Sequence, residues 1–285
     1  MSYSQEISRA NKGLFVFLLD QSFSMEDPLG GAVNAKMDEL ATAVNSWLQE
    51  MTIRTTGSEG IRDYFDIGMI GYRTDDEANP IIESPLTGDL RGQELVSIVD
   101  IYNNTRMETK TQSYYDEDDG EMKEREVDFP VWIEAKAEGG TPMCSALHEA
   151  YEVVSKWIEE HPRSFPPIVL HISDGENQEA GDPLDYADPL RSLETEDGNV
   201  LLLNCHLSEE KAQPFMFPHS NEILPNDHAR VLFDMSSILP ESFIAQARDL
   251  GFEVQEGAKG MAFNADMVSL IRFLDIGTRV AATLR

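Results

Sequence analysis

The chain has 285 residues, 41% hydrophobic and 26% charged, which is ample for a sizeable globular core. Its formal net charge of −30 repels phosphate backbones and anionic lipid, which argues against nucleic acid and membrane surfaces as partners. Two cysteines, Cys144 and Cys205, without metal-type spacing fit a reduced cytoplasmic protein, and no apolar run approaches the roughly 20 residues of a membrane span.

Residues 1–12 read as a polar lead-in without the apolar core of a signal peptide, followed by one domain over 13–285. Leu14 to Leu19 is an unbroken apolar run that stops on Asp20, as in a strand buried on both faces. Asp20, Ser22 and Ser24 follow at two-residue steps. At the carboxyl end of such a strand ligands bind, and carboxylate and hydroxyl oxygens in a tight turn suit a hard cation such as Mg²⁺. Val33, Met37, Leu40, Val44, Trp47 and Met51 form one helical stripe. Tyr64 to Tyr72 reads as a strand, Pro80 to Pro85 as an edge strand, and Arg91 to Tyr102 as a short helix.

The pattern then changes over 103–136, where two alternating arms flank Asp116 to Gly120 and predict an inserted β-ribbon. Its acidic tip is not a calcium loop, because an EF-hand needs Gly at position 6 and counting from Asp116 puts Gly120 at 5. It reads as a solvated turn. Gly139-Gly140-Thr141-Pro142 opens a helix from Met143 to Glu160. Ile168 to Ile172 is a second buried strand, ending at Ser173-Asp174-Gly175. A helix over 183–193, a strand over Val200 to Cys205 and a polar insertion over 207–229 come next. Val231 to Phe233 is expected to be extended, and Pro240 to Leu250 to be helical. A strand near Gly260 to Phe263 leads to a last helix, with Asn264 as its cap and Val268, Ile271 and Leu274 on its buried face. Alternating strands and helices predict a doubly wound, mostly parallel α/β architecture.

If the two buried strands are parallel neighbours, Asp20 and Asp174 emerge side by side. Unneutralised, they repel, and a divalent ion removes that repulsion. Asp20-x-Ser22-x-Ser24, Gly-Gly-Thr141 and Ser-Asp174-Gly together resemble the metal-ion-dependent adhesion site of von Willebrand factor A domains. The resemblance covers about Leu14 to Thr283 and implies a six-stranded sheet flanked by helices. It implies that Ser22, Ser24 and Thr141 bind Mg²⁺ directly, with Asp20 and Asp174 acting through water and Mn²⁺ or Ca²⁺ as substitutes. It also implies a partner protein whose Asp or Glu completes the ion's coordination. Bacterial proteins of this type suggest an adaptor in stress-response, signalling or defence complexes. For the partner protein, the resemblance implies a set such as a kinase with a metal-dependent phosphatase, or a hexameric ATPase, without selecting between them.

The rival reading is an enzyme. Asp20 after a buried strand also resembles the haloacid dehalogenase phosphohydrolases, with Asp20 as nucleophile, but their second acid is replaced by Ser22. No Walker, nucleophile-elbow or zinc-protease motif is present, so the expectation is a binding module and not an enzyme. His171 within its strand reads as a structural histidine, and Cys144 as a buried, unreactive thiol.

Overall fold

The computed structural model of the chain describes residues 3–30, 33–116, 121–209 and 213–278. The first strand, β1 (Gly13–Asp20), is buried along its whole length because helices cover both faces of its sheet. Apart from a hairpin of two-residue strands, Thr56–Gly57 with Gly60–Ile61, the other strands are β2 (Phe65–Thr74), β3 (Pro80–Glu83), β4 (Leu95–Ser97), the ribbon arms β5 (Arg106–Asp116) and β6 (Glu121–Val131), β7 (Ile168–Ser173), β8 (Leu201–Leu207), β9 (Phe215–Met216) and β10 (Met261–Ala265). The helices are α1 (Lys36–Thr55), α2 (Ile98–Asn103), α3 (Met143–Glu160), α4 (Leu184–Ser192), α5 (Asp227–Met235), α6 (Glu241–Asp249) and α7 (Met267–Thr278).

Among the described residues, the main sheet has eight strands in the order β9-β10-β8-β7-β1-β2-β3, with β4 also pairing β2. The β10, β8, β7, β1 and β2 strands run parallel, and β3, β4 and β9 are short antiparallel edges. The layout is therefore α/β with a mostly parallel sheet. It carries eight strands rather than the expected six. The alternation along β1 divides the core. Phe15, Phe17 and Leu19 face one layer with α1, α6 and α7, whereas Leu14, Val16 and Leu18 face the other with α3, α4 and α5. Trp47 of α1 packs edge-on against Phe15 and Phe17 at ring separations of 5.4 and 4.8 Å. Each such buried aromatic stabilises the fold by about 1.5–3 kcal/mol.

The ribbon arms pair antiparallel from Arg106↔Val131 outward, as a two-stranded sheet separate from the main one. Buried Asn45 of α1 anchors its base, accepting from Trp132 N at 2.9 Å and Ile133 N at 3.1 Å and donating to Ile133 O at 2.9 Å. Of the predicted acidic turn, Asp116 to Gly120, the residues from Glu117 to Gly120 lie outside the described residues, as do 279–285 of the domain expected over 13–285. Among the described residues, no helix is long and apolar enough to cross a membrane.

Five local expectations are corrected. Val231 to Phe233 is helical, because Ala229, Leu232 and Phe233 share the buried face of α5 and Asn226 caps it through Ala229 N at 2.8 Å. The 207–229 segment is not all loop, since β9 adds to β10 and Phe217 is buried against Phe252 and Phe273. The last helix is capped by Asp266, which accepts from Ser269 N at 2.8 Å, while Asn264 lies in β10. Leu270, Phe273 and Leu274 form its buried face, with Val268 and Ile271 exposed. Val33 precedes α1 and is exposed.

Candidate metal centre

Parallel pairing of β1 with β7 brings the carboxyl ends of both strands to one edge. Asp20, 1% exposed, accepts from Ser22 N at 2.8 Å through Oδ1 and from Ser173 Oγ at 2.6 Å through Oδ2. Burial pushes its pKa from 3.8 to about 6; those bonds hold it down, and the nearby Asp174 charge adds to the rise. Ser24 Oγ donates to Asp174 Oδ1 at 2.8 Å and lies 3.2 Å from Ser22 Oγ. Since the Ser24 proton is used on Asp174, Ser22 is the donor between the two serines.

Thr141 arrives from another part of the chain. Gly139 has φ +63°, and a Cβ there would lie 2.1 Å from Thr74 O, so only glycine allows this approach. Gly139 O then accepts from Phe23 N at 2.9 Å, Gly140 N donates to Thr74 Oγ1 at 2.7 Å, and Gln178 N donates to Thr141 O at 3.0 Å. These bonds tie the Thr141 turn between the loops following β1 and β7. Thr141 Oγ1 is buried and has no hydrogen-bond partner. A Cβ on Gly175 would sit 3.1 Å from Thr141 Oγ1 and 3.9 Å from Ser24 Oγ, so this glycine keeps the space between the hydroxyls open.

All five residues singled out in the sequence, Asp20, Ser22, Ser24, Thr141 and Asp174, thus gather at one place. Two carboxylates and three hydroxyls, one of them the buried and orphaned Thr141 Oγ1, fit an oxygen-liganded hard cation. Among the described residues, no cluster of three or more His, Cys, Asp or Glu side chains could hold a metal ion, so a zinc-type site of that composition is not formed there.

Two participants escaped the sequence reading. Lys36, 1% exposed, reaches from the first turn of α1 to place Nζ 2.5 Å from Asp174 Oδ2, 3.2 Å from Ser24 O and 3.3 Å from Glu209 Oε1. Its signal was its phase, because Lys36 stands four residues before Leu40 and eight before Val44 on the buried stripe. A charge at a buried position needs a charged partner. Ser173, the second, immediately precedes Asp174 and was readable as part of the same strand end.

Beneath the centre, a hydrogen-bonded chain crosses the sheet. Tyr72 Oη lies 2.7 Å from His171 Nε2, His171 Nδ1 2.8 Å from Asn204 Oδ1, and Asn204 Nδ2 2.9 Å from Ser236 Oγ. Asn204 donates to Ser236, so its Oδ1 accepts from His171 Nδ1, and His171 Nε2 accepts from Tyr72. Burial lowers the His171 pKa to about 4, which keeps the ring neutral and structural. Burial and neighbouring Glu179 raise the Cys144 thiol to about 11, so this cysteine is unreactive. Beside the centre lies a cavity of about 410 Å³ whose walls include Lys36, Glu176, Glu209, His206 and His228. His206 stacks on Phe263 at 4.3 Å, and burial lowers its pKa to about 3.

No family model matches the chain, and no curated protein matches it. Among solved structures it is similar to proximal thread matrix protein 1 from the mussel byssus, with a TM-score of 0.47, 10% identity and coverage of 98% of this chain and 49% of that one. It is also similar to the manganese-loaded TRAP protein of Plasmodium vivax, with a TM-score of 0.43, 11% identity and coverage of 95% and 74%. A third is the pilus adhesin SpaC from Lactobacillus rhamnosus GG, with a TM-score of 0.46, 10% identity and coverage of 97% and 31%. The chain therefore spans about half of the mussel protein and under a third of the adhesin. The fold assignment rests on the strand topology.

Proposed function

We propose that this chain is a protein-binding module of the von Willebrand factor A type, which captures a partner through a divalent cation, Mg²⁺ or in its place Mn²⁺ or Ca²⁺. The observation that carries this reading is the buried, unpartnered Thr141 Oγ1, which borders the same space beside Gly175 as Ser24 Oγ. In a finished core such a hydroxyl costs about 1–3 kcal/mol. A cation ligand role accounts for it. Ser22, Ser24 and Thr141 would hold the ion, and Asp20 and Asp174 would neutralise it. When bound, the ion supplies an electrophilic position for one more oxygen ligand, and a partner's Asp or Glu carboxylate fits that chemistry.

The chain's own residues do the positioning. Gly139 brings Thr141 in, Ser173 and Ser22 N orient Asp20, and Ser24 orients Asp174. The proposed activity is binding without catalysis. Both Asp20 oxygens are engaged and the side chain is enclosed, which supports that choice over an aspartyl nucleophile, a group that must present a free oxygen to substrate. The charge of −30 favours a partner that surrounds its acid with basic groups. The proposed setting is an intracellular complex with a kinase and phosphatase or a hexameric ATPase.

The test is affinity capture from the native cell lysate with Mg²⁺, repeated with chelator and with Asp20→Asn. A partner lost in both controls supports the cation bridge. A partner retained in both moves the interface to the ribbon or to the 207–229 segment and refutes the bridge.

A further inference from the structure

The Lys36–Asp174 pair sits inside the candidate centre, yet holding a cation gives the lysine no task. Both side chains are enclosed, at 1% and 0% exposed. Asp174 divides its oxygens, Oδ1 taking the Ser24 hydroxyl and Oδ2 the Lys36 ammonium. Lys36 also donates to Ser24 O, so it braces two of the five oxygen-bearing residues. Local preference opposes this placement. Lys36 is the first residue of α1, where the helix dipole disfavours a cation. Interaction with the centre offsets that penalty, and burial leaves the charge poorly screened over the few ångströms to the oxygens.

The charge count has a consequence. Of the enclosed side chains, Asp20 and Asp174 contribute two negative charges, and Lys36 reduces them to one; Glu209, 3.3 Å from Lys36 but 58% exposed, is screened by solvent and stands outside this count. A divalent cation then leaves the centre with one net positive charge, whereas without the lysine it would leave none. We propose that Lys36 is a specificity-determining residue that biases the cation-loaded centre toward an anionic ligand and so strengthens the dependence of cation uptake on carboxylate binding. It weakens the hold on the cation alone and tightens the hold on the cation together with one monoanionic carboxylate, as on a partner's Asp or Glu side chain. By linkage, each ligand raises the affinity of the other by the same factor. Capture is then conditional on both being present. This inference rests on the cation-bridge reading and adds to it a reason for choosing an anionic ligand.

The test measures Mn²⁺ affinity by electron paramagnetic resonance for the wild type, Lys36→Met and Lys36→Arg. Each is titrated in chloride and in acetate at equal ionic strength, acetate being the carboxylate probe. Expected in the wild type is Mn²⁺ affinity several-fold higher in acetate. Lys36→Met should bind Mn²⁺ about tenfold or more tightly in chloride, since one poorly screened positive charge is gone, and should lose most of the acetate effect. Lys36→Arg, which keeps the charge, should stay nearer the wild type. Equal Mn²⁺ affinity in wild type and Lys36→Met, or an undiminished acetate effect, overturns the inference and leaves the cation bridge standing. Absence of Mn²⁺ binding in all three forms overturns the cation bridge itself. Should Lys36→Met fail to fold, the wild-type comparison decides, because affinity equal in chloride and acetate contradicts the proposed coupling.

Discussion

Replacing Asp20 by Asn should stabilise the metal-free protein at neutral pH while removing its response to divalent cations. Asp20 is enclosed, and its pKa rises from 3.8 to about 6. At about 1.36 kcal/mol per pH unit, that rise corresponds to ~3 kcal/mol of destabilisation when the side chain is ionised. The sign follows from proton binding. Between pH 3.8 and about 6 the native state holds this proton more tightly than the unfolded state, so the Asp20 contribution to stability falls as pH rises. Asn keeps one acceptor oxygen but loses one hydrogen bond of those from Ser22 N and Ser173 Oγ, at about 1 kcal/mol. The net expectation is a gain of about 2 kcal/mol at pH 7.5, shrinking to zero or slightly below at pH 4. His171 and His206, with pKa values lowered to about 4 and about 3, slope the other way in both proteins and cancel in the difference. Urea unfolding of both proteins in chelator at pH 4 and 7.5 measures it, and in thermal melts the gain at neutral pH is about 4 °C. A variant less stable than the wild type at pH 7.5 would refute the claim that an unneutralised, buried Asp20 strains the metal-free fold.

Thr141→Val preserves shape and removes the orphaned hydroxyl. Its metal-free stability should equal or exceed that of the wild type by about 1 kcal/mol, and its cation affinity should fall about tenfold or more, read by melts with and without Mg²⁺. Asn45→Ala removes three buried hydrogen bonds between α1 and the base of the ribbon. Chemical unfolding should show a loss of about 3 kcal/mol. A loss under about 1 kcal/mol would show that the ribbon base is held by packing alone.

The parallel strands of the sheet were legible from their apolar runs, whereas the short edges β4 and β9 lie inside stretches read as a helix over Arg91 to Tyr102 and as the 207–229 insertion. The five oxygen-bearing residues were legible because each ends a strand or opens a turn. What stayed hidden had competing local signals. Val231-Leu232-Phe233 resembles a strand fragment, and only its spacing from Ala229 and the Asn226 cap reveal a helix. Asn264 looked like a cap because it precedes an apolar period, but Asp266 takes that role two residues on. Val268 and Ile271 sit at helical spacing on the exposed face of α7, so periodicity alone picked the wrong stripe. Lys36 was hidden for a different reason. A lysine at a helix start is ordinarily solvated, and only tertiary pairing with Asp174 explains its burial.

The central claim is that the Asp20, Ser22, Ser24, Thr141 and Asp174 oxygens form a cation site, and calorimetric titration with Mg²⁺ and Mn²⁺ tests it most directly. The account predicts one ion per chain for the wild type, with binding at least about tenfold weaker in Thr141→Val although that variant stays fully folded. No uptake by the wild type, or equal uptake by the two proteins, would contradict it.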